Sequence, residues 1–370
     1  MPHILIPIHD FNAGGTEAVA FRLAAEWLAR GWRVTVMAGD GAGPMRARVP
    51  DGAAVHVLWP PIPRSTVSRL KLSAALAAEA KAHAPDLIFI VGNFHFVLAH
   101  AFKRALPQVP VVAKISNPLL GQGAVIQAMA RLGRLLLRRY FAPIDRMVAM
   151  TAGQRDELLR LVPDAVASVI ADPNVKDAAL VPAMRDRRQG HGAIRLLLVG
   201  RLEPQKDIPL ALEVLTVLNR SQPAHLTVLG EGYLRPQIEA QAARLGLKDQ
   251  LSLPGFSNDI AAACRAADLL LITSRYEGGP GIAVEALAEA LPLVSTDCSH
   301  FLREIISDPR LGRIVVGRDP QTIANAIIAQ MAEPPAPPEL LEQTLAPSRF
   351  SVAADAYLQV FEAALGSRSA

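Results

Sequence analysis

The sequence has only two cysteines, Cys264 and Cys298. A pair cannot build a disulfide framework or a cysteine-rich zinc site. A reducing compartment is the expected home. No stretch approaches the roughly 18 consecutive apolar residues that a membrane-spanning helix needs. The start, His3-Ile4-Leu5-Ile6-Pro7-Ile8, is strand-like and too short for the apolar core of a secretory leader. The expected location is therefore the cytoplasm, with at most peripheral contact at the inner membrane face. There is no Asp-x-Asp and no Gly-Lys-Ser/Thr phosphate loop. The 25 Gly and 29 Pro follow no period, which excludes a collagen-like chain.

What is present is a chain of 370 residues, 51% hydrophobic and 19% charged. That length predicts two domains of ordinary size, and that composition excludes a mostly disordered chain. Charge is unevenly spread. Residues 1–171 carry a net +8 and residues 172–370 a net −4. The basic half suits an anionic small molecule or an anionic membrane surface. Nucleic acid is not expected, because no recognised binding signature or basic-aromatic stripe accompanies the charge.

Strand-like and helix-like segments alternate from end to end. His3–Ile8, Val34–Met37, Ala53–Leu58, Leu87–Val91, Val109–Ile115 and Arg146–Met150 read as strands, separated by helical periodicities such as Glu17–Ala29 and Ala124–Arg139. Residues 171–192 break the pattern with prolines, charges and glycines and read as a linker. A second alternation starts at Arg195–Val199. The order β-α-β predicts α/β architecture in two doubly wound parallel-sheet domains, 1–171 and 192–345, with a cleft between them. A last amphipathic helix within 350–370 is expected to pack back on the first domain.

Four stretches stand where a strand hands over to a helix, the place where such sheets bind ligands. Gly14-Gly15-Thr16-Glu17 is either an anion-binding helix start or an ordinary turn. Gly200-Arg201-Leu202-Glu203-Pro204-Gln205-Lys206 sets a guanidinium and an ammonium where both could face one diphosphate, or else is two solvated charges. Gly230-Glu231-Gly232 lacks the third glycine of a dinucleotide fingerprint, since Arg235 stands there, and reads as a tight turn. Glu277-Gly278-Gly279-Pro280-Gly281-Ile282 opens a helix that carries Glu285. Amides near Gly281 and Ile282 suit a phosphate, and Glu285 can take two ribose hydroxyls. A helix merely carrying an acid near its start is the plain alternative, but it leaves the glycine-proline run unexplained.

These stretches in this order, followed by Pro292-Leu293-Val294-Ser295-Thr296-Asp297, resemble glycosyltransferase family 4. The resemblance is most specific from Leu196 to Asp297. It implies the GT-B fold, two Rossmann-like domains facing across a cleft, and retaining sugar transfer from a nucleotide-sugar, UDP-linked rather than GDP-linked. It implies that Arg201 and Lys206 bind the donor diphosphate and that Gly278, Pro280, Gly281 and Ile282 add to the phosphate site. Glu285 would hold the ribose, and Glu277 would contact the donor sugar. Phe256–Ile260 would line the base, and Gly14 and Gly15 would approach the phosphate from the first domain. No metal or other cofactor is expected. The acceptor would be a glycan or a lipid-linked molecule in surface polysaccharide or glycolipid synthesis.

Two departures stand out. Ala290 occupies a turn position where the family usually has glycine, so a rearranged turn is expected. Residues Ser116-Asn117-Pro118 follow a strand where the family often places a histidine near the reacting sugar. His95 is then the nearest catalytic candidate, or else a packing residue, and Asn117 a candidate acceptor contact. Arg131, Arg134 and Arg138 recur at helical steps within Ala124–Arg139, with Leu132, Leu135 and Leu136 expected on the other side. Such a helix either rests on an anionic bilayer or is a domain helix with a solvated face. The competing functional readings are a nucleotide-sugar 2-epimerase and a non-catalytic nucleotide-binding protein on the same scaffold.

Overall fold

The computed structural model describes residues 1–370 except 13, 66–67, 123, 179–191, 258 and 367–370, and omits the side chains of 121–122, 124–125 and 127. Most of the expected linker therefore lies outside the described residues. The chain divides into two units, Met1–Asp177 with Pro347–Ala370, and Ala178–Ala346.

The first unit is built on a parallel sheet of seven strands, β1 (His3–Ile8), β2 (Arg33–Ala38), β3 (Ala54–Val57), β4 (Leu87–Ile90), β5 (Val111–Lys114), β6 (Arg146–Ala149) and β7 (Ala167–Val169). Their order is β3-β2-β1-β4-β5-β6-β7. Its helices are α1 (Gly15–Ala29), α2 (Ser68–His83), α3 (Leu98–Ala105), α4 (Leu119–Gln122), α5 (Ala124–Leu132), α6 (Arg134–Phe141) and α7 (Ala152–Leu161). The central strands are fully buried runs of Ile, Leu, Val and Phe, as a sheet covered on both faces requires. Neither α4, α7 nor β7 shows a distinct period in the sequence.

The second unit has six parallel strands, β8 (Ile194–Val199), β9 (Ala224–Leu229), β10 (Leu251–Gly255), β11 (Leu269–Ile272), β12 (Leu293–Thr296) and β13 (Gly312–Val315). Their order is β10-β9-β8-β11-β12-β13. Helices α8 (Ile208–Leu218), α9 (Arg235–Arg244), α10 (Ile260–Ala266), α11 (Gly281–Ala288), α12 (His300–Ile305), α13 (Pro320–Ala332) and α14 (Pro338–Leu345) follow. The last helix, α15 (Phe350–Gly366), belongs to the first unit and packs along α1. There Trp27 meets Phe89 edge-on at 5.4 Å between ring centres and Phe361 at 5.0 Å. Such pairs add roughly 0.5–1.5 kcal/mol each beyond their buried area. Few aromatics exist in the chain, and several are gathered at this one seam.

The single helix expected over Ala124–Arg139 is two helices. Gly133 has φ +130°, which only glycine adopts without strain, and it separates α5 from α6. The rearrangement expected around Ala290 does not occur. Ala290 takes φ +51° itself and closes α11 with the bonds of a Schellman turn, Ala290 N–H to Leu287 O at 2.9 Å and Leu291 N–H to Ala286 O at 2.8 Å.

Candidate donor and acceptor sites

In each sheet the strand order reverses beside the first strand, and the crevice beyond the carboxyl ends at that point is where open α/β sheets take ligands. In the second unit the reversal falls between β8 and β11. The loop leaving β8 ends in Lys206, and the loop leaving β11 carries Glu277. Lys206 Nζ donates to Glu277 Oε1 at 2.6 Å. Two further donors hold the same carboxylate: Ser274 Oγ at 2.6 Å and Gln205 Nε2 at 3.4 Å. The Glu277 side chain is 9% exposed and that of Lys206 20%. Val199, Lys206, Ser274, Glu277, Pro280 and Ile282 line one pocket here.

α11 opens on this pocket. Pro280 is its N-cap, and no side chain caps the first turn. The first-turn amides, those of Gly281 and Ile282 among them, thus have no partner of that kind and carry the positive end of the helix dipole. Gly278 is buried, and its carbonyl accepts Ser299 Oγ at 2.7 Å, which fixes the turn before the helix. Glu285 is half-buried one turn along α11 and is not among the pocket-lining residues.

Arg201 is not among the residues that line this pocket. Its side chain is 64% exposed and pairs with Glu203 at 2.9 Å. The loop that carries it is nevertheless fixed. Gly230 has φ +143°, and a Cβ there would lie 2.0 Å from the carbonyl oxygen of Gly200. A Cβ on Gly232 would lie 2.5 Å from that of Leu202. The missing side chains let the two loops touch, and Leu202 N–H bonds Glu231 O at 2.9 Å. The tight turn read from the sequence is thus the support of the Arg201 loop. Phe256, expected to line the base, is 66% exposed.

Arg318, which follows β13, stands in no motif. It donates to Asp207 Oδ2 at 2.6 Å, Thr273 O at 2.6 Å and Ser274 O at 3.1 Å. It therefore clamps the Lys206 loop to the Glu277 loop from 111 residues away in the chain. No spacing rule reaches that far.

In the first unit the reversal falls between β1 and β4. Gly14 is the extended N-cap of α1, and a Cβ built on Gly15 would meet nothing within 4 Å. Gly92, after β4, sits so close to the neighbouring loops that a Cβ would lie 2.7 Å from Ser116 Oγ and 3.0 Å from Thr16. Asn93 ties the β4 and β5 loops together, accepting Ser116 N–H at 2.8 Å and donating to Asn117 O at 2.8 Å. Asn117 is half-buried beside it. His95 is buried, and its pKa is lowered to about 4 by burial, helped by the positive charge of Arg64 and by His9 and Arg69. It is neutral at physiological pH. Nearby, buried Asp10 pairs with Arg64, which also lies 3.7 Å from Glu17. Burial pushes the Asp10 carboxyl up, but the Arg64 hydrogen bonds and charge outweigh it and hold the pKa below its usual value. Nothing in the sequence singles out Asp10, His9 and Arg64, because a short polar pair after a strand has no distinguishing pattern. Among the described residues no three His, Cys, Asp or Glu side chains gather so as to hold a metal ion.

Comparison with known proteins bears on the fold and its two domains. Residues 14–172 match the family described as "Glycosyl transferase 4-like domain", and residues 184–344 match "Glycosyl transferases group 1". A D-inositol 3-phosphate glycosyltransferase from Geodermatophilus obscurus is 30% identical over 286 residues, 70% of this chain and 63% of its own. The chain thus spans less than two thirds of that relative's length. The fold matches the lipopolysaccharide outer core galactosyltransferase WaaB at TM-score 0.75 and 16% identity, over 98% of this chain and 99% of WaaB. It matches Anabaena HepE in complex with UDP and glucose at TM-score 0.75 and 18% identity, over 97% and 99% of the two chains. Two parallel-sheet units of this build define the GT-B architecture. Each half of the chain thus matches a glycosyltransferase domain family, and the fold is GT-B.

Proposed function

We propose that this protein is a metal-independent retaining glycosyltransferase that moves a hexose-type sugar from a nucleotide-sugar to a glycan or lipid-linked acceptor. The observation that carries this reading is the Lys206–Glu277 pair at the switch point of the second sheet, beside the uncapped start of α11. A departing nucleoside diphosphate develops negative charge. A fixed ammonium and helix-end amides stabilise that charge without reorganising, and such terms are usually the largest in catalysis. Arg201, exposed on a braced loop, would turn from Glu203 to the diphosphate when donor binds. Glu277 would hold donor-sugar hydroxyls, and Glu285 the ribose.

In the proposed step the acceptor oxygen forms a bond to the anomeric carbon on the face from which the phosphate leaves. The bond from that carbon to the phosphate oxygen breaks, its electron pair stays on the diphosphate, and the acceptor proton passes to the leaving oxygen. His95, neutral at working pH, would offer a ring nitrogen to an acceptor or sugar hydroxyl, with Asn117 nearby. A UDP donor is favoured by the solved neighbour that holds UDP and glucose. A role in surface polysaccharide or glycolipid synthesis is favoured by the likeness to WaaB.

The test is turnover of a panel of nucleotide-sugars in chelator. The reading expects slow hydrolysis of one UDP-hexose, faster release of UDP with the right acceptor, and a product of unchanged anomeric configuration. Nucleotide binding without any turnover of the panel would favour the non-catalytic alternative, and an inverted product would overturn retention.

A further inference from the structure

One side of α5 and α6 carries exposed apolar side chains. Leu132 is 75% exposed, Leu135 73% and Leu136 41%, and Leu120 just before them is 38% exposed. Single exposed leucines are ordinary, but a cluster of this kind marks an interaction site. The opposite side of the same helices is anchored, with Ile126, Leu137 and Phe141 buried in the core of the first unit. The expected separation of arginines and leucines onto two sides does not hold, because α6 alone exposes Leu135 and Leu136 together with Arg134, Arg138 and Arg139.

Arg131, Arg134, Arg138 and Arg139 surround the leucines and are all exposed. Arg138 pairs with Asp164. The other three form no ion pair among the described residues. No Asp or Glu occurs between Asp86 and Asp145, while seven Lys and Arg do. An apolar knob within an acid-free basic field complements one kind of surface. We propose that the α5–α6 face docks on an anionic lipid bilayer, its leucines entering the acyl boundary and its arginines resting on the headgroups. A second copy of the chain fits poorly, since a two-fold contact would set arginines against arginines. Nucleic acid leaves the leucines without a role. This inference stands on the first unit alone and does not depend on the donor reading.

The test is flotation of the full-length protein with vesicles of phosphatidylcholine, and with vesicles of equal parts phosphatidylcholine and phosphatidylglycerol. Wild-type protein is expected to float with the anionic vesicles only, and less at high salt. Each arginine charge contributes about fivefold to partitioning, so Arg131→Gln with Arg134→Gln should lose about 25-fold. Leu132→Ser with Leu135→Ser should lose at least about tenfold, through lost apolar burial. Both double variants should keep the wild-type thermal unfolding, because the altered side chains are exposed. Absence of wild-type binding to anionic vesicles, or equal binding by the variants, overturns the proposal. So does a dimer abolished by the leucine changes in protein that ignores vesicles, which would give the face to a second copy.

Discussion

Glu277 is held by three donors, and Lys206 is the charged one. Lys206→Ala leaves the carboxylate half-satisfied and nearly buried, so unfolding stability should fall by about 1–3 kcal/mol. Adding Glu277→Gln should return part of that loss, because an amide needs no cation. Urea denaturation of the single and double variants reads the coupling, and simple additivity would mean that the pair is not an energetic unit. Turnover in Lys206→Ala should fall by roughly 100- to 1000-fold, as for loss of one fixed donor to a developing anion. A second residue-scale consequence concerns Ala290. Its left-handed backbone costs about 1 kcal/mol relative to glycine. Ala290→Gly should therefore raise the melting temperature of the second unit by about 3 °C, and an unchanged or lower value would contradict the strain.

His95 adds a pH dependence. Its folded pKa is about 4, below the 6.5 of a free histidine. The unfolded chain therefore binds the proton more readily. The stability from keeping this ring neutral is complete above about pH 6.5 and is lost as pH falls toward 4, by roughly 3 kcal/mol in all. In His95→Gln that component should vanish, so its stability should fall less steeply across this window. Matching slopes in the two proteins would mean that the ring titrates normally.

At the scale of elements, Gly230→Ala tests whether the turn after β9 supports the Arg201 loop. A Cβ 2.0 Å from the Gly200 carbonyl oxygen has no room, and the left-handed φ is strained besides. The expected cost is at least about 2 kcal/mol, with weaker nucleotide binding. A variant with wild-type affinity would remove the loop contact from the account. This turn also marks how far sequence reaches. Strands such as His3–Ile8 and Leu269–Ile272 are continuous apolar runs between turn residues, and they were legible. The helix break at Gly133 was not, because the flanking apolar spacing continues across it and only the φ of +130° reveals the glycine's role. Helices α12 and α14, six and eight residues long, leave little period to read, whereas α13 buries Ile323, Ala324 and Ile327 at a helical spacing that is present in the sequence.

At the scale of the whole molecule, two alternations of strand and helix were enough to predict two parallel-sheet units, since crossover connections leave few other solutions. The loops proposed to hold the donor stood out as candidates for a related reason: glycines and charges gathered after strands are local in sequence. What joins those loops is not local. The Arg318 clamp on Asp207 and the contact of the Gly230 turn with Gly200 arise only when distant strands become neighbours. In the first unit the Asp10–Arg64 pair and the burial of His95 are likewise products of the sheet order. The central claim, that a nucleoside diphosphate binds at Lys206 and the start of α11, is tested most directly by calorimetric titration of the full-length protein with UDP, GDP and ADP in chelator, with Lys206→Ala and Glu285→Ala alongside. The account predicts that one nucleotide, UDP, binds with micromolar affinity and that both variants lose it. Folded protein that binds none of the three, or variants that bind as well as wild type, would contradict the donor site.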